Sequence, residues 1–392
     1  MCGGAAQTRR LRLNLTRLEI RGALTGAAFA CLATVASAQS SVTVYGQIGA
    51  GVGYAKASGN GADTSSTQLT DNLMAASYLG FTGTEDLGNG LRAAFRLEMA
   101  LAPDTGNVGG NGAGGTRTFN RQSWVGLGNA ENMVTLGRQF HAGVDRIIRT
   151  LDVNQVAGNG LFTVPLALFG VNRFAANDNR TDNSVKYRLA MPGVLEAGAS
   201  YGMGERTHGA GATAPVSGDS YSFDLAHTTQ TYSLGAFYNH FDAPVGLPVG
   251  GTPDHDLWGV GGNVQLGDFR PYLAYYESHT GAILAGRPTT RDKILHVGLS
   301  WTPAATAFRV TAAYYHDKGT DLNNVADRDG TKDTFVLAGF YALSKRTELY
   351  TAYVLNAFED GYKLDPVNQA AMQRTAAQDK VGLISVGVRH RF

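Results

Sequence analysis

Apolar and polar residues alternate with a period of two along much of the chain after residue 40. In residues 90–99 the odd positions are mostly large apolar residues, whereas the even positions include Arg92, Arg96 and Glu98. Successive side chains of a β-strand point to opposite faces, and a helical period of 3.6 does not fit these stretches as well. The same period recurs in residues 183–189, 305–315 and 383–392. The pattern predicts strands with one apolar and one polar face.

The connections between these stretches alternate in length. Seven short turns lie near residues 86–90, 129–132, 191–193, 229–231, 267–268, 303–305 and 344–346. Eight longer polar or glycine-rich connections lie near residues 57–73, 102–117, 140–182, 204–218, 242–254, 280–291, 318–331 and 357–379. Fifteen connections join sixteen strands, and short turns at one end with long loops at the other are typical of a membrane barrel. We predict an all-β fold, a 16-stranded antiparallel transmembrane β-barrel with both chain ends on the periplasmic, short-turn side.

A soluble all-β protein, such as a lectin-like sandwich or an adhesin, is the alternative fold. A sandwich buries its apolar faces between two sheets, which gives no reason for connections that alternate between short and long. The last ten residues also favour the barrel, because apolar residues occupy alternate positions up to the terminal Phe392, as they usually do in outer-membrane barrels.

The N-terminal residues have the pattern of a secretory signal. Five arginines lie within the first 21 residues, and an apolar stretch over 22–35 is followed by Ala36-Ser37-Ala38. We predict that residues 1–38 are removed, although a lipoprotein cysteine or a short membrane anchor is an alternative. Fourteen apolar residues are too few for a spanning helix. Both cysteines, Cys2 and Cys31, lie in this stretch, so we expect no disulfide or zinc–thiolate site in the mature chain.

Composition and motifs argue against several functions. Lys and Arg number 33 against 32 Asp and Glu, so no global positive field favours nucleic acid. The G-x-S-x-G match at residues 198–202 lies inside a predicted strand rather than between a strand and a helix. The glycine-rich residues 109–115 lack the Lys-Ser/Thr of a phosphate loop, and the histidines show no metal-ligand spacing. We therefore expect no enzyme, no cofactor, no metal and no nucleic-acid partner; an outer-membrane protease or phospholipase is the enzymatic alternative.

Several segments, taken in order, resemble the trimeric porins of Gram-negative bacteria, in particular the betaproteobacterial, neisserial-type branch. The matching segments are residues 41–46, 79–91, 120–127, 136–139, 183–187 and 386–392. The resemblance implies an outer-membrane homotrimer of water-filled barrels for passive diffusion of ions and small hydrophilic solutes. It also implies a third loop, about 140–182, that folds inward as the constriction. Lipopolysaccharide and outer-membrane lipid would surround the barrel, and the barrel-assembly machinery would recognise Phe392.

The charges at the narrowest point set the selectivity of such a channel. The long third loop contains Asp145 and Asp152 together with basic Arg146, Arg149 and Arg173. Inward strand positions would supply cations on the wall, namely Arg92, Arg96, Lys186, Arg188, Arg270, Arg309, Arg389 and Arg391. Loop acids that face wall cations across the bore would create a transverse field.

Three positions leave the selectivity open. Tyr78 stands on the inward face where many relatives have arginine, so one pore cation is missing. Arg121 and Arg138 have the lipid-facing parity, although a β-bulge near the loop would turn Arg138 inward. The alternative function is a substrate-selective channel for small organic anions or aromatic acids. Three inward tyrosines would form its aromatic track, namely Tyr272, Tyr276 and Tyr315.

Overall fold

The architecture is a closed antiparallel sheet. A computed structural model describes residues 41–71, 75–108, 117–154, 179–204, 218–242, 254–282 and 284–392. No helix among these residues is long and apolar enough to cross a membrane.

The strands follow one another in chain order. The first nine are β1 (Ser41–Gly59), β2 (Thr64–Asp71), β3 (Tyr78–Gly88), β4 (Leu91–Ala102), β5 (Asn107–Val108), β6 (Gln122–Gly128), β7 (Asn132–Phe140), β8 (Arg180–Met191) and β9 (Leu195–Gly202). The others are β10 (Ser220–Thr228), β11 (Tyr232–Phe241), β12 (His255–Val264), β13 (Phe269–Thr280), β14 (Thr290–Trp301), β15 (Phe308–Thr320), β16 (Gly330–Ala342), β17 (Thr347–Asp360) and β18 (Gln378–Arg391). The helical elements are α1 (Ala142–Arg146), a π-helical turn (Ile147–Leu151), two 3-10 turns (Leu322–Asn324 and Gly361–Leu364) and α2 (Pro366–Ala371).

These segments form a barrel with sixteen positions. β2 and β3 share one position, because β2 pairs with the second half of β1 and β3 with the first half. The two-residue β5 pairs only with the last two residues of β4 and adds no position to the barrel. Each remaining strand pairs with the next, and β18 pairs with β1, which closes the sheet. The predicted 16-stranded antiparallel barrel is confirmed.

The connections reproduce the predicted alternation except at the first loop. The seven predicted short turns all join neighbouring strands at one end of the barrel. The prediction of a long loop near residues 57–73 was wrong, because β1 continues to Gly59 and β2 begins at Thr64. This stretch is rich in serine and threonine, which suggested a loop, but threonine is well suited to a strand and every residue of β2 pairs with β1.

The two faces of the barrel differ in chemistry. Exposed Val, Leu, Ile and Phe side chains cover the outside, and aromatic residues occur near both strand ends, including Trp301 and Phe308 at the short-turn end and Tyr201 and Tyr221 at the long-loop end. An apolar band between aromatic girdles is the outer surface expected in a bilayer. The opposite face of the strands carries serines, asparagines, acids and most of the arginines.

A segment of the third loop packs on this inner face. The docked segment, residues 141–154, contains α1 and the π-helical turn, and its apolar side chains are buried against the wall. The shared cluster contains Val144, Ile147, Leu151 and Val153 from the segment, with Phe237, Leu257, Tyr272, Tyr276, Ile294 and Tyr315 from the strands. The three tyrosines predicted to form an aromatic track are therefore covered, since each is at most 5% exposed.

The last two long loops also fold against the wall. Leu322 of the seventh loop and Tyr362 and Met372 of the eighth loop form a second apolar cluster with Phe358 and Val381. The Tyr362 hydroxyl donates to Asp292 of β14 at 2.6 Å. The space inside the barrel is thus reduced at two places. The docked segment reduces it near the middle of the strands, and these two loops reduce it at the long-loop end.

Candidate functional site

Side chains of the wall hold the backbone of the docked segment. Ser200 and Ser222 accept hydrogen bonds from the amides of Ala142 (3.2 Å) and Gly143 (2.9 Å). A Cβ on Gly143 would lie 2.3 Å from Asn239 Oδ1, so a residue without a side chain is needed for this close approach. Ser200 is the serine of the G-x-S-x-G match, and it lies within β9 as predicted. Its hydroxyl therefore anchors α1.

Arg146 is the central electrostatic anchor of the segment. Its side chain is completely buried, and Nε and Nη2 donate to Asp224 Oδ1 at 3.1 and 2.7 Å. The same guanidinium contacts Thr150 at 3.0 Å and Glu196 at 3.3 Å. Arg188 donates to the other oxygen of Asp224 at 2.5 Å. Two arginines and two acids therefore form one network between the segment and strands β8, β9 and β10.

Asp145 contacts the basic wall directly. Lys186 Nζ lies 2.9 Å from Asp145 Oδ2 and also donates to the Phe140 carbonyl at 2.8 Å, while Arg188 is 3.9 Å from the same carboxylate. Burial alone would raise the pKa of Asp145, but the two neighbouring cations outweigh it and hold the pKa below its ordinary value. Asp145 is thus ionised and already paired at neutral pH.

Asp152 is engaged on the other side of the docked segment. Its Oδ1 accepts from the Tyr315 hydroxyl at 2.6 Å and lies 3.8 Å from His296 Nε2. The carboxylate is buried. Asp145 and Asp152 therefore bind the wall on which the segment rests, rather than facing its cations across the bore as the sequence suggested.

An arginine–aromatic cluster lines the wall formed by β1, β3, β4 and β6. The guanidinium of Arg121 lies 4.7 Å from the ring centroid of Tyr78, and that of Arg96 lies 5.7 Å from the rings of both Tyr45 and Trp124. A single buried acid, Glu98, serves both cations, at 3.6 Å from Arg121 and 3.9 Å from Arg96. The cluster therefore carries one net positive charge, and Arg121 supplies a cation at the position where Tyr78 was expected to remove one.

Four of the other predicted cations have no carboxylate within ion-pair distance among the residues described. Arg92 and the exposed Arg149 of the docked segment form no ion pair there. Arg270 donates to the amide oxygens of Gln265 (2.7 Å) and Asn263 (3.0 Å), and Arg309 stacks 3.8 Å from the Phe340 centroid.

Two of the predicted wall arginines lie near the short-turn end of the barrel. Arg389 and Arg391 both pair with Glu348 of β17. Glu348 partly balances their positive charge, so they add less positive charge to the inner surface than the four cations without a carboxylate partner do.

Arg138 lies at the loop ends of β7 and β8. It donates to the Asn120 carbonyl at 2.6 Å and to Asp182 at 2.7 Å, and Arg117 also pairs with Asp182 at 2.9 Å. The register of β7 and β8 shifts beside it, between Gly137 and Gln139, which is the kind of irregularity the sequence suggested. Arg173, the last of the predicted loop cations, lies outside the described residues.

Comparison with known proteins agrees with this architecture. The sequence profile of the Gram-negative porin family matches residues 23–361. The chain belongs to this family. An outer membrane porin of Bordetella pertussis is 26% identical over 94% of this chain and 99% of its own length. Outer membrane porin protein 32 of Delftia acidovorans is 27% identical over 91% of this chain and 95% of its own length.

Solved structures share the fold. An anion-selective porin from Comamonas acidovorans superposes with a TM-score of 0.70 at 23% identity and covers 90% of this chain and all of its own. The trimer form of OmpT, an outer membrane protein of Vibrio cholerae, has a TM-score of 0.63 at 14% identity over 90% of this chain and 99% of its own. The predicted family, outer-membrane location and passive diffusion of small solutes are confirmed; this porin is a channel protein.

Sequence reasoning missed two features of the porin's inner surface. Arg121 has the lipid-facing parity of β6, but it precedes the first strand residue, Gln122, and parity no longer fixes its direction there. Glu98 was seen only as a polar strand position, although it accepts hydrogen bonds from Tyr45 (2.6 Å) and Gln122 (3.1 Å) as well as pairing with both arginines. Apart from Arg96, which is two residues from Glu98, these partners are distant in sequence.

Proposed function

We propose that this porin conducts small anions in preference to cations and that the third loop, about residues 140–182, forms its constriction. The observation that carries the proposal is the difference in pairing between the two signs of charge. The loop acids Asp145 and Asp152 are both engaged with the wall, whereas Arg149 on the same segment is exposed and forms no ion pair with any of the described residues.

The opposite wall adds to this imbalance. Arg96 and Arg121 share one acid, and the side chain of Arg96 is 40% exposed. Arg309 has an aromatic partner instead of a carboxylate. A pore lined by rings of Arg and Lys favours anions, because unpaired charges raise the local concentration of counter-ions. The solved neighbour described as anion-selective supports the same sign.

The aromatic-acid alternative has weaker support. Its predicted track of Tyr272, Tyr276 and Tyr315 is buried beneath the docked segment. Solute block of the conductance at low concentration remains the observation that would favour a selective channel over a general one.

We further propose that three copies assemble, as the trimer form of the Vibrio neighbour suggests, after residues 1–38 are removed. The first strand begins at Ser41, three positions after the last residue of the predicted signal, Ala38. At the other end of the chain, Phe392 and Gly46 of β1 exchange two backbone hydrogen bonds of 3.1 and 3.2 Å. Phe392 is the residue that we expect the barrel-assembly machinery to recognise. The intact mass of the mature protein and its mass in solution test the cleavage and the trimer.

The decisive experiment is the reversal potential of the refolded porin in a planar bilayer across a KCl gradient. The proposal expects the anion-selective sign and conductance steps grouped in threes. A cation-selective sign would refute the charge argument, and the absence of conductance from correctly folded protein would refute the constriction argument as well. Arg149→Gln and Lys345→Gln form a matched pair, since Lys345 is exposed on a short turn away from the bore. Only Arg149→Gln is expected to lower the anion preference.

A further inference from the structure

The two guanidinium groups of the arginine–aromatic cluster, those of Arg96 and Arg121, donate no hydrogen bond to any of the described residues. Each Nε is buried without an acceptor there, and Glu98 lies beyond hydrogen-bond distance, at 3.9 Å from Arg96 and 3.6 Å from Arg121. The oxygens of Glu98 accept instead from the Tyr45 hydroxyl (2.6 Å) and from Gln122 (3.1 Å). The N–H groups of both arginines are therefore available to an anion from the bore.

Aromatic rings lie beside these donors on the same inner surface. The Arg96 guanidinium is 5.7 Å from the ring centroids of both Tyr45 and Trp124, and that of Arg121 is 4.7 Å from the Tyr78 centroid. All three rings are partly exposed. A guanidinium stacked on an aromatic face is weakly hydrated, and its planar fork of N–H groups matches the two oxygens of a carboxylate. The cluster thus offers a carboxylate fork next to aromatic surface.

The cluster lies where a permeating solute has to pass. The docked segment contacts β9 to β13. Its wall and the wall of the cluster, β1 to β6, are separated by β7 and β8 on one side of the barrel and by β14 to β18 on the other. The cluster therefore faces the docked segment, with its exposed Arg149, across the bore. Any solute that passes the docked segment also passes these rings.

We propose, on the basis of the anion preference proposed above, that the arginine–aromatic cluster is a subsite for aromatic carboxylates. The carboxylate would accept from the N–H groups of Arg96 and Arg121, and the solute ring would lie against Tyr45 and Trp124. An aliphatic carboxylate can use the same N–H groups but gains nothing from the electron-rich ring faces. Offset or edge-to-face contact between aromatic rings adds to the area buried, so the subsite distinguishes two anions of equal charge and similar size.

The test records the KCl conductance of the full folded porin in a planar bilayer at neutral pH, with benzoate or cyclohexanecarboxylate added. The two anions have the same charge and nearly the same size, but only benzoate has an aromatic ring. Benzoate is expected to block the conductance at a concentration about two- to tenfold lower, which is the contribution of one aromatic pair. Equal block by the two anions in the wild type would overturn the proposal.

Matched variants locate the subsite. Trp124→Leu is expected to abolish most of the benzoate advantage, whereas Trp301→Leu, which removes the same ring from the outer surface, is expected to keep it. Arg96→Lys retains the charge but not the planar fork, so the benzoate advantage is expected to fall there as well. Cyclohexanecarboxylate serves as the reference in each variant, and β-sheet circular dichroism shows that each variant is folded.

Two results separate this inference from the proposed function. If Trp124→Leu and Trp301→Leu keep the same benzoate advantage, the cluster is not the subsite and the inference is wrong, even when the reversal potential in KCl has the anion-selective sign. A cation-selective sign in KCl refutes the proposed anion preference, and the inference that rests on it is then overturned as well.

Discussion

Replacing Arg146 with glutamine is expected to release the docked segment from the wall. The guanidinium is fully buried and supplies both close contacts to Asp224 Oδ1, at 2.7 and 3.1 Å, as well as those to Glu196. Removing one partner of a buried ion pair typically costs about 3–5 kcal/mol, because the remaining charge is left without compensation. Asp224 keeps Arg188, so we expect the lower end, about 3 kcal/mol.

That loss corresponds to roughly a hundredfold change in the ratio of docked to undocked segment. Hydrogen exchange measured by mass spectrometry reports this ratio directly, since amides in residues 142–151 exchange when the segment opens locally. We expect their protection to fall by up to about a hundredfold in Arg146→Gln. Single-channel conductance should rise and become noisier, because the segment then spends time away from the wall.

Arg149→Gln is the matched control on the same segment. It removes the same charge three residues away, but Arg149 is exposed and holds no partner in the described chain, so the protection of residues 142–151 should match the wild type. The ion preference, in contrast, should fall. If Arg146→Gln exchanges no faster than Arg149→Gln, the buried network does not hold the segment and the reasoning is wrong.

Three further outcomes follow from single contacts. Arg121→Gln should lower the anion-to-cation permeability ratio by about two- to fivefold, which is the effect of one charge roughly 4–8 Å away at a dielectric constant near that of water. Tyr78→Phe should leave the sign of the reversal potential unchanged. Reversal potentials measure both variants. The lowered pKa of Asp145 stabilises docking at any pH above the ordinary carboxyl pKa of about 3.9, and this stabilisation is lost as the pH falls through the lower pKa of the folded state. The single-channel conductance should therefore be unchanged between about pH 7 and 5 and rise only below about pH 4. A rise at higher pH would contradict the pairing of Asp145 with Lys186. Gly46→Ala should lower the free energy of unfolding, measured in urea, by about 1–3 kcal/mol, because the new Cβ would lie 2.3 Å from the Tyr78 carbonyl oxygen. Gly382→Ala is the control, because its Cβ meets no atom within 4 Å. An equal loss of stability in the control would refute the steric argument.

The barrel was predictable because its signals are local. A period of two and the alternation of short and long connections depend on neighbouring residues, and both survive in the structure except at β2. There, strand pairing with β1 overrides a polar composition. Lys186 and Arg188, which parity predicted to face inward, contact Asp145 of the docked segment and Asp224 of β10.

The pairing of charges was not predictable, because the partners are distant in sequence. Lys186 meets a carboxylate 41 residues away and Arg146 one 78 residues away. Such partners are fixed only when the sheet closes and the third loop lies on β9 to β11. A sequence without its register gives each charge a face but not a neighbour.

On the proposed function, we expect the selectivity of this porin to depend on those neighbours rather than on the number of charges. An acid that anchors the loop is compensated by its partner and contributes little to the field in the bore, as Asp145 and Asp152 show. A cation lost at Tyr78 is replaced by Arg121, which stacks on the Tyr78 ring from the residue just before β6. In the proposed channel the sign of the inner potential follows from the charges that remain without an ion pair after docking, and among the described residues these include Arg92, Arg149, Arg270 and Arg309. Substitutions that undock the loop should therefore change the ion preference as well as the width of the channel, since they free acids that are now bound to the wall.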